Sequence, residues 1–251
     1  MGMEAKGARW TESIVLGGID VGETDRIVHL LTEEVGRLSG VAKAARASLR
    51  RFGGALEPFS TVSVRYRERR GTPLAFLYEA EVRTARLGIR RDLWRIAVAT
   101  YVAELVRELG REREANSDLY RAAGWALDRC ATADVRGDLI VAAELRALGA
   151  AGLSPVVDAC VGCGIVDVVG FDPSRAGVVC ERCETPAVHR LAPGSVRSLA
   201  AIAAEEASVV LARAAYRPVT NAIGAFVEYQ LARRMKARAF AVAELELACW
   251  K

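Results

Sequence analysis

The sequence predicts a multidomain α+β protein, and three observations indicate this class. Short runs of β-forming residues, separated by glycine-containing turns, fill the first 84 residues. Helical periodicity replaces them after Thr84, and two C-x2-C pairs interrupt the helical part. We therefore expect a β domain over residues 1–84, an α-helical domain over residues 85–155 and 190–251, and a cysteine-bearing insertion over residues 156–189.

Five short strands are predicted in the β domain. The runs that suggest them are SIVLGGIDV, DRIVHLLTE, RLSGVAKAA, STVSVRYRERRG and LAFLYEAEVR, with turn signals at Gly17, Gly22 and Gly36. The connection between the third and fourth runs is rich in glycine. This pattern is typical of a small closed barrel of the oligonucleotide-binding type, the OB-fold.

The helical domain is predicted from apolar residues that recur with the period of a helix. In DLWRIAVATYVAELVRELGRE they lie mostly on one stripe, with Asp92 as the expected N-cap and Gly110 near the end. Two further helices are expected over residues 118–131, after the cap candidate Ser117, and over residues 138–151. Beyond residue 190, PGSVRSLAAIAA and RPVTNAIGAFVEYQLARRMKARAF also have helical patterns.

The cysteine pairs in the insertion have the spacing of a zinc site. Two C-x2-C pairs are separated by sixteen residues, and their members are Cys160, Cys163, Cys180 and Cys183. Two such turns complete a tetrahedral thiolate shell around Zn²⁺, and a full shell favours a structural ion, one per chain, over a catalytic one. The strand-like GIVDVVGF and AGVVC between the pairs predict a hairpin. Reduced structural thiols without a metal are the alternative.

The remaining candidate ligands are expected to have ordinary roles. His189 follows Cys183 by six residues, and with four cysteines at good spacing we expect it to be a surface histidine. Cys130 and Cys249 lie in apolar helical or terminal contexts, so they are expected to pack in the core.

Positive charge is concentrated in one part of the sequence. The net charge of the chain is +4, yet residues 35–78 contain nine basic residues against Glu57 and Glu68, which gives +7 and leaves −3 for the remainder. The nine are Arg37, Lys43, Arg46, Arg50, Arg51, Arg65, Arg67, Arg69 and Arg70. A localised positive field attracts polyanions such as nucleic acids or an acidic partner segment.

Strand alternation arranges part of this charge in a row. In TVSVRYRERRG, Val62, Val64 and Tyr66 are expected on one face and the arginines 65, 67 and 69 on the other. Alternate side chains recur every ~6.6 Å along a strand, so such a row can follow a phosphate backbone. A solvated barrel face is the alternative, but the acid-free run of residues 37–51 favours nucleic-acid binding.

Aromatic residues near these cations could stack on bases. Tyr66 is expected to face the core, and so is Phe59, which follows a proline. Phe52, beside Arg50 and Arg51 in the glycine-rich connection, is the stronger stacking candidate.

The sequence lacks the motifs of common nucleotide-dependent enzymes. It contains neither a GxxxxGK[ST] phosphate loop nor a GxGxxG after a strand, and the H-x-E and P-C-x-x-C pattern of zinc deaminases is absent. Two histidines leave few candidates for acid or base catalysis, so we expect a protein that is not an enzyme. No segment resembles a signal peptide or a membrane span, which predicts a cytoplasmic location without membrane contact.

Several stretches resemble the bacterial recombination mediator family RecO. The segments GETDRI, TEEVGRL, VAKAAR and GALEPF occur in the order expected for this family, and a four-cysteine insertion interrupts the helical domain. ARRMKARAF is similar to a basic turn that precedes the last helix of the family. The resemblance covers the chain from end to end and is strongest over residues 14–64.

The resemblance implies an OB barrel, a helical domain, a zinc module and a role in recombinational repair. Proteins of this family bind single- and double-stranded DNA and anneal complementary strands. With RecR they help RecA to displace single-stranded DNA-binding protein, and no bond is made or broken. By resemblance, the nine basic residues above are the DNA-binding candidates, RecF and RecA are further candidate partners, and the protein acts at the nucleoid.

The family also docks the acidic C-terminal tail of single-stranded DNA-binding protein on its helical domain. The resemblance does not place this pocket in the present chain. Candidate anchors for the tail are Arg107, Arg121, Arg129, Arg233 and Arg234.

Two other functions remain open at this point. Zinc ribbons and small barrels also occur in RNA-binding and transcription-associated proteins, which would not anneal DNA or hold single-stranded DNA-binding protein. The second alternative is a metalloenzyme that acts on nucleotides. Such an enzyme would lose turnover after a cysteine substitution while keeping its fold, whereas a structural site would lose its fold first.

Overall fold

A closed five-stranded barrel forms the N-terminal part of the protein. The computed structural model describes residues 7–132, 134–205 and 211–250, so the predicted domain limits at residues 1 and 251 lie outside it. The strands are β1 (Arg9–Val21), β2 (Asp25–Thr32), β3 (Gly36–Ala42), β4 (Thr61–Arg67) and β5 (Ala75–Thr84). They close in the order β1-β2-β3-β5-β4, with β3 and β5 parallel and the other neighbours antiparallel. The predicted fold class is confirmed.

Strand alternation fills the interior of the barrel. On β4, Val62, Val64 and Tyr66 are fully buried, as the alternation predicts. Phe52, in the connection between β3 and β4, is 2% exposed and packs in the same core cluster. The prediction that Phe52 is available for base stacking is therefore wrong, because the connection folds this ring back into the barrel core.

Six α-helices follow the barrel in the described part of the chain. They are α1 (Leu93–Leu109), α2 (Ser117–Thr132), α3 (Leu139–Ala150), α4 (Pro193–Ala203), α5 (Arg213–Leu231) and α6 (Arg238–Cys249). Each predicted helical pattern is present, but the last one divides into α5 and α6 because Ala232 adopts a left-handed conformation with φ of 50°. Among the described residues, no helix combines the length and the hydropathy that a membrane span needs.

The predicted helix starts are correct in position, but the capping side chains differ. Asp92 precedes α1, yet its carboxylate accepts a hydrogen bond from Arg95 Nε at 2.7 Å instead of capping a backbone amide. Ser117, predicted to cap α2, is the first residue of that helix. Asn116 is the capping residue, since its Oδ1 accepts from the backbone N–H of Leu119 at 2.9 Å.

A buried ion pair joins four helices. Glu144 on α3 is fully buried, and its Oε1 accepts from Arg238 Nε of α6 at 2.6 Å and from the Tyr101 hydroxyl of α1 at 2.5 Å. Arg238 also donates to the carbonyl of Thr220 on α5 at 2.6 Å. Burial, reinforced by the neighbouring Glu144 carboxylate, raises the pKa of Tyr101 well above its usual value, so this hydroxyl stays protonated and donates.

Arg86 connects the barrel to the helices. Ile14 and Leu31 on the outer side of the barrel belong to the same hydrophobic cluster as α1 and α2. Beside them, Arg86 donates to the carbonyl of Phe59 at 2.9 Å and to Asp128 on α2 at 2.7 Å. The barrel and the helical region therefore share apolar packing and charge-assisted hydrogen bonds.

The insertion forms a small three-stranded sheet. Its strands are β6 (Gly170–Asp172), β7 (Gly177–Val179) and β8 (His189–Arg190), in the order β7-β6-β8. A hairpin is present as predicted, although only the end of GIVDVVGF is strand. Phe171 on β6 meets Phe226 of α5 edge to face with ring centroids 5.6 Å apart, so the insertion is anchored in the helical core.

Candidate metal centre and nucleic-acid interface

The four cysteines of the insertion converge on one point. The Sγ atoms of Cys160, Cys163, Cys180 and Cys183 all lie within 4.8 Å of one another, and those of Cys163 and Cys180 are 3.6 Å apart. A tetrahedral shell with Zn–S bonds of about 2.3 Å has S–S separations of about 3.8 Å. The donor set and its spacing therefore fit one metal ion, and His189 is not part of this cluster.

Two glycines allow the first cysteine pair to turn tightly. Gly164 has φ of +76°, and its amide donates to the carbonyl of Cys160 at 2.8 Å. A Cβ atom at Gly162 would lie 2.9 Å from the Cys183 sulfur, so a larger residue there would crowd the second pair. The turn thus brings the sulfurs of Cys160 and Cys163 together and leaves space for the sulfurs of Cys180 and Cys183.

Backbone amides favour the thiolate form of Cys160. Burial raises the pKa of this thiol, but hydrogen bonds from the backbone amides of Cys180, Gly162 and Cys163 outweigh that effect and lower the pKa to about 6. A thiolate is the form that binds a metal, so these amides prepare Cys160 as a ligand. By contrast, Cys130 is fully buried and burial raises its pKa to about 12, as expected for a core residue.

Four of the nine basic residues have carboxylate partners that the linear segment does not contain. Arg65 Nε lies 2.6 Å from Glu79 on β5, and Lys43 Nζ lies 2.5 Å from Asp25 on β2. Arg46 lies 3.8 Å from Asp20, and Arg37 lies 3.6 Å from Glu112. The absence of acids between residues 37 and 51 therefore does not mean that these charges are unopposed in the fold.

Arg37 contacts the helical region and is remote from Lys43. Its Nη1 donates to the carbonyl of Arg107 at the end of α1 at 2.7 Å, and its backbone amide donates to the carbonyl of Arg111 at 3.0 Å. It stands near the opposite end of β3 from Lys43, ~20 Å along the strand at about 3.3 Å per residue. The structure therefore gives Arg37 a place at the junction of barrel and helices, and its DNA contact stays a prediction.

Five basic residues have no carboxylate within ion-pair distance among the described residues. They are Arg50, Arg51, Arg67, Arg69 and Arg70. The backbone carbonyl of Arg51 accepts from the amide of Ala80 on β5 at 2.9 Å, and Arg67 is paired with Phe76 on the other side of the same strand. Cations from two distant sequence segments thus flank β5. We call these five residues the free cation set.

The predicted arginine row is shorter than expected. Strand β4 ends at Arg67, so the regular spacing covers Arg65 and Arg67 only. Arg69 and Arg70 lie in the turn between β4 and β5, where they line an open groove of about 550 Å³ together with Arg113. Glu68 in this groove is held by Arg9 at 2.9 Å, so arginines from outside the predicted segment offset its charge.

Two aromatic residues on the outer face of the barrel were not predicted from the sequence. Phe76 and Tyr78 on β5 point away from the core, and their rings meet edge to face with centroids 4.7 Å apart. The Cζ atoms of Arg65 and Arg67 lie 5.6 and 5.9 Å from the Tyr78 ring centroid. The alternation in LAFLYEAEVR, with Leu77 inward, was the signal that could have identified them.

Comparisons with known proteins agree with this arrangement of barrel and helices. Residues 7–86 match the family model described as "Recombination protein O N terminal", and residues 90–239 match "Recombination protein O C terminal". The chain is 44% identical over 238 residues to "DNA repair protein RecO" of Anaeromyxobacter sp. (strain Fw109-5). This alignment covers 90% of the present chain and 93% of the relative. The protein of the same name from Myxococcus xanthus (strain DK1622) is 36% identical, with 90% and 93% covered. That from Nocardioides sp. (strain ATCC BAA-499 / JS614) is 32% identical, with 91% and 97% covered.

Proposed function

This chain belongs to the RecO family of DNA repair proteins, and we propose that it binds and anneals DNA strands as a recombination mediator. In this role it acts with RecR to promote loading of RecA on single-stranded DNA that is coated with single-stranded DNA-binding protein. The reaction makes and breaks no covalent bond, so the protein acts as a binding platform and not as an enzyme. Its place of action is the nucleoid in the cytoplasm, and RecF is a further partner.

The observation that carries this proposal is the free cation set around β5. Each of its members can approach a phosphate without first breaking an ion pair with a carboxylate of the described chain. Two DNA strands repel each other because both carry phosphate charge, and a cationic surface reduces this repulsion when both strands are bound. Lys43, Arg46 and Arg65 support the same surface with charges that are partly offset by nearby acids, whereas Arg37 contacts the helical region.

We propose that the four-cysteine cluster holds one Zn²⁺ with a structural role. Its four thiolates would fill the tetrahedral shell and leave no position for substrate water. Zinc sites of this kind contribute ~10 to 16 kcal/mol of apparent binding free energy, which is comparable to the stability of a domain. The ion would therefore hold the two cysteine turns of the insertion together against the helical core.

We propose that the tail of single-stranded DNA-binding protein docks on the helical region in a groove of about 630 Å³ between α2, α3 and α4. Trp125, Leu145 and Ile202 give this groove an apolar part, and Arg121 and Arg146 stand at its wall. The Arg146 guanidinium lies 4.1 Å from the Trp125 ring centroid, which combines a cation with an apolar surface.

The arginines of this groove have carboxylate partners within the chain. Arg146 Nη2 lies 2.8 Å from Glu205 Oε2. A carboxylate of the acidic tail that binds Arg146 would therefore replace the carboxylate of Glu205. Arg121 pairs with Asp118, one helical turn away. Both side chains are largely exposed, so this ion pair is weak. Of the arginines suggested by the family resemblance, Arg233 is held by Glu108 at 2.7 Å and lies outside this groove, so it is a weaker anchor.

Strand annealing tests the central proposal. Complementary labelled oligonucleotides are mixed with the protein, alone and after coating with single-stranded DNA-binding protein, with and without RecR. We expect the wild-type protein to accelerate annealing, and a variant with Arg67, Arg69 and Arg70 changed to alanine to lose most of this acceleration while unfolding at the same temperature. A folded wild-type protein that neither binds DNA nor anneals it would refute the proposal and leave an RNA-binding role open.

A further inference from the structure

The outer face of the barrel carries an apolar row that ends in an arginine. Strand register pairs Ile19 of β1 with Ile27 of β2, Ile27 with Val41 of β3, and Val41 with Phe76 of β5. Phe76 is in turn paired with Arg67 of β4. Directly paired residues point to the same side of a sheet, so these five side chains form one row across the barrel.

This row is not part of the protein core. Among the described residues, the barrel core cluster contains inward neighbours such as Val28 and Leu77 but not Ile27, Val41 or Phe76. Ile19 at one end of the row is 61% exposed, and the side chains toward β5 are partly exposed. These apolar side chains therefore lie outside the barrel core, and a contiguous exposed apolar row of this kind is typical of a binding surface.

An irregularity in the sheet places the second aromatic ring between two cations. Phe76 and Tyr78 alternate with the inward-facing Leu77, so both rings stand on the outer face. The register of β4 against β5 shifts after Arg65, which leaves Tyr78 as the extra residue of a bulge. Because Tyr78 has no direct partner on β4, its ring lies near both Arg65 and Arg67.

We propose that Phe76 and Tyr78 form a stacking platform for unpaired bases, which makes this face of the barrel selective for single-stranded over double-stranded nucleic acid. The inference rests on the proposed function, since it concerns the same surface, but it adds the form of DNA that is recognised. Arg67, which has no carboxylate partner in the described chain, would hold the phosphate that follows a stacked base. Aromatic faces accept any base, so the platform is tolerant of sequence.

Charge complementarity favours a nucleic acid over a protein as the occupant. The rings stand on β5, with the arginines 65 and 67 of β4 on one side. On the other side, the Arg51 guanidinium donates to the carbonyl of Lys43 at 2.8 Å, next to the β3 residue that is paired with Leu77. A polyanion therefore meets cations on both sides of an apolar strip. In a duplex the bases are already stacked on each other and only their edges are accessible, so the same rings would gain little from double-stranded DNA. A strand that is annealed on this surface would therefore lose its stacking contacts and be released more easily.

The direct test uses an oligonucleotide that lacks bases. Binding of the wild-type protein is measured at fixed salt to a single strand, to a strand of the same length made of abasic residues, and to the duplex. We expect the abasic strand to bind at least tenfold more weakly than the ordinary strand, because two rings each contribute roughly a factor of ten. Equal affinity for the ordinary and abasic strands overturns the platform proposal, whereas failure to bind any DNA overturns the proposed function itself.

Variants then locate the effect. Phe76→Ala and Tyr78→Ala should each weaken single-strand binding by about tenfold while duplex binding and the salt slope stay unchanged, since no charge is removed. Tyr78→Phe keeps the ring and serves as the matched control, for which near wild-type affinity is expected. A fluorescent base analogue in the strand should be quenched on binding to the wild-type protein and not to the double alanine variant. Loss of a RecR interaction in these variants, with single-strand affinity intact, would show that the face binds protein and would refute the proposal.

Discussion

The Nε atom of Arg65 lies 2.6 Å from Oε1 of Glu79 across two antiparallel strands, and both side chains stand on the outer face of the barrel. Glu79 therefore offsets the charge of an arginine that sequence alternation placed in a phosphate-binding row. Arg65 therefore belongs to the basic residues that have a carboxylate partner, in contrast to the free cation set.

Removal of the Glu79 charge should strengthen DNA binding. In Glu79→Gln the Arg65 guanidinium is free for one more phosphate, so affinity for single strands should rise about fivefold at ~0.1 M salt. Anisotropy titrations measure this change. The control is Glu81→Gln, since Glu81 lies on the same strand but contacts Arg83 at 3.6 Å. A decrease in affinity for Glu79→Gln would mean that the pair positions Arg65 for binding.

Binding should weaken steeply as salt is raised. If about half of the nine basic side chains contact phosphates, the slope of log K against log salt for single strands should be roughly −3. Arg67→Ala should make the slope less negative by about 0.7, whereas Arg37→Ala should leave it unchanged because Arg37 contacts Arg107 and Glu112. Titrations between 50 and 200 mM salt, roughly the range over which such contacts are lost, measure it. A slope near zero for the wild-type protein contradicts phosphate binding.

The purified protein should contain one zinc ion per chain. Metal analysis after Cys163→Ser should show a loss of zinc, and limited proteolysis should then cut the insertion, because the two cysteine turns depend on the ion for their arrangement. Cys249→Ser is the matched control, since Cys249 lies outside the cluster and zinc content should stay at one per chain. Wild-type protein purified without chelators that contains well below one zinc per chain would refute the zinc site.

Breaking the buried ion pair should destabilise the helical region strongly. Glu144→Gln leaves the Arg238 charge buried without its counter-ion, which costs about 3 to 5 kcal/mol of unfolding free energy. The control is Glu244→Gln on α6, which removes the same charge from a partly exposed position and should change the stability by less than about 0.5 kcal/mol. Urea unfolding measures both values, and equal effects of the two variants would contradict the proposed importance of the pair.

The stability that Asp25 confers by holding Lys43 and Ala44, after β3, should depend on pH. A hydrogen bond from Lys43, together with one from the backbone amide of Ala44, lowers the pKa of Asp25 below its usual value. The stabilisation is therefore complete above the unfolded-state pKa of about 4 and is lost as the pH falls through the lower folded-state pKa. The difference in melting temperature between the wild-type protein and Asp25→Asn should shrink as the pH is lowered from neutral to below about 4, the ordinary pKa of an aspartate. A difference that is constant over this range would contradict the assignment.

Local patterns predicted most of the fold. The alternation in TVSVRYRERRG correctly placed Tyr66 in the barrel, and the helical period correctly placed α1 between Asp92 and Gly110. Helix caps were predicted less well, as the shift of the α2 cap from Ser117 to Asn116 shows. Capping depends on the orientation of one side chain, and neighbouring residues of similar chemistry compete for it.

The errors concern residues whose surroundings come from distant parts of the chain. Phe52 was expected at the surface, but the glycine-rich connection returns its ring to the barrel core. The position of Tyr78 between two arginines depends on a bulge against β4, which the residues of β5 alone do not reveal. Arg37 was grouped with Lys43, from which the length of β3 separates it.

By itself, the sequence determined the order of strands and helices and the cysteine ligands of the candidate metal centre, because periodicity and ligand spacing are properties of neighbouring residues. Only the tertiary structure decided which cations have a carboxylate partner. Coulomb attraction depends on distance in space, and the carboxylates nearest to Lys43 and Arg65 arrive from other strands through the closure of the barrel.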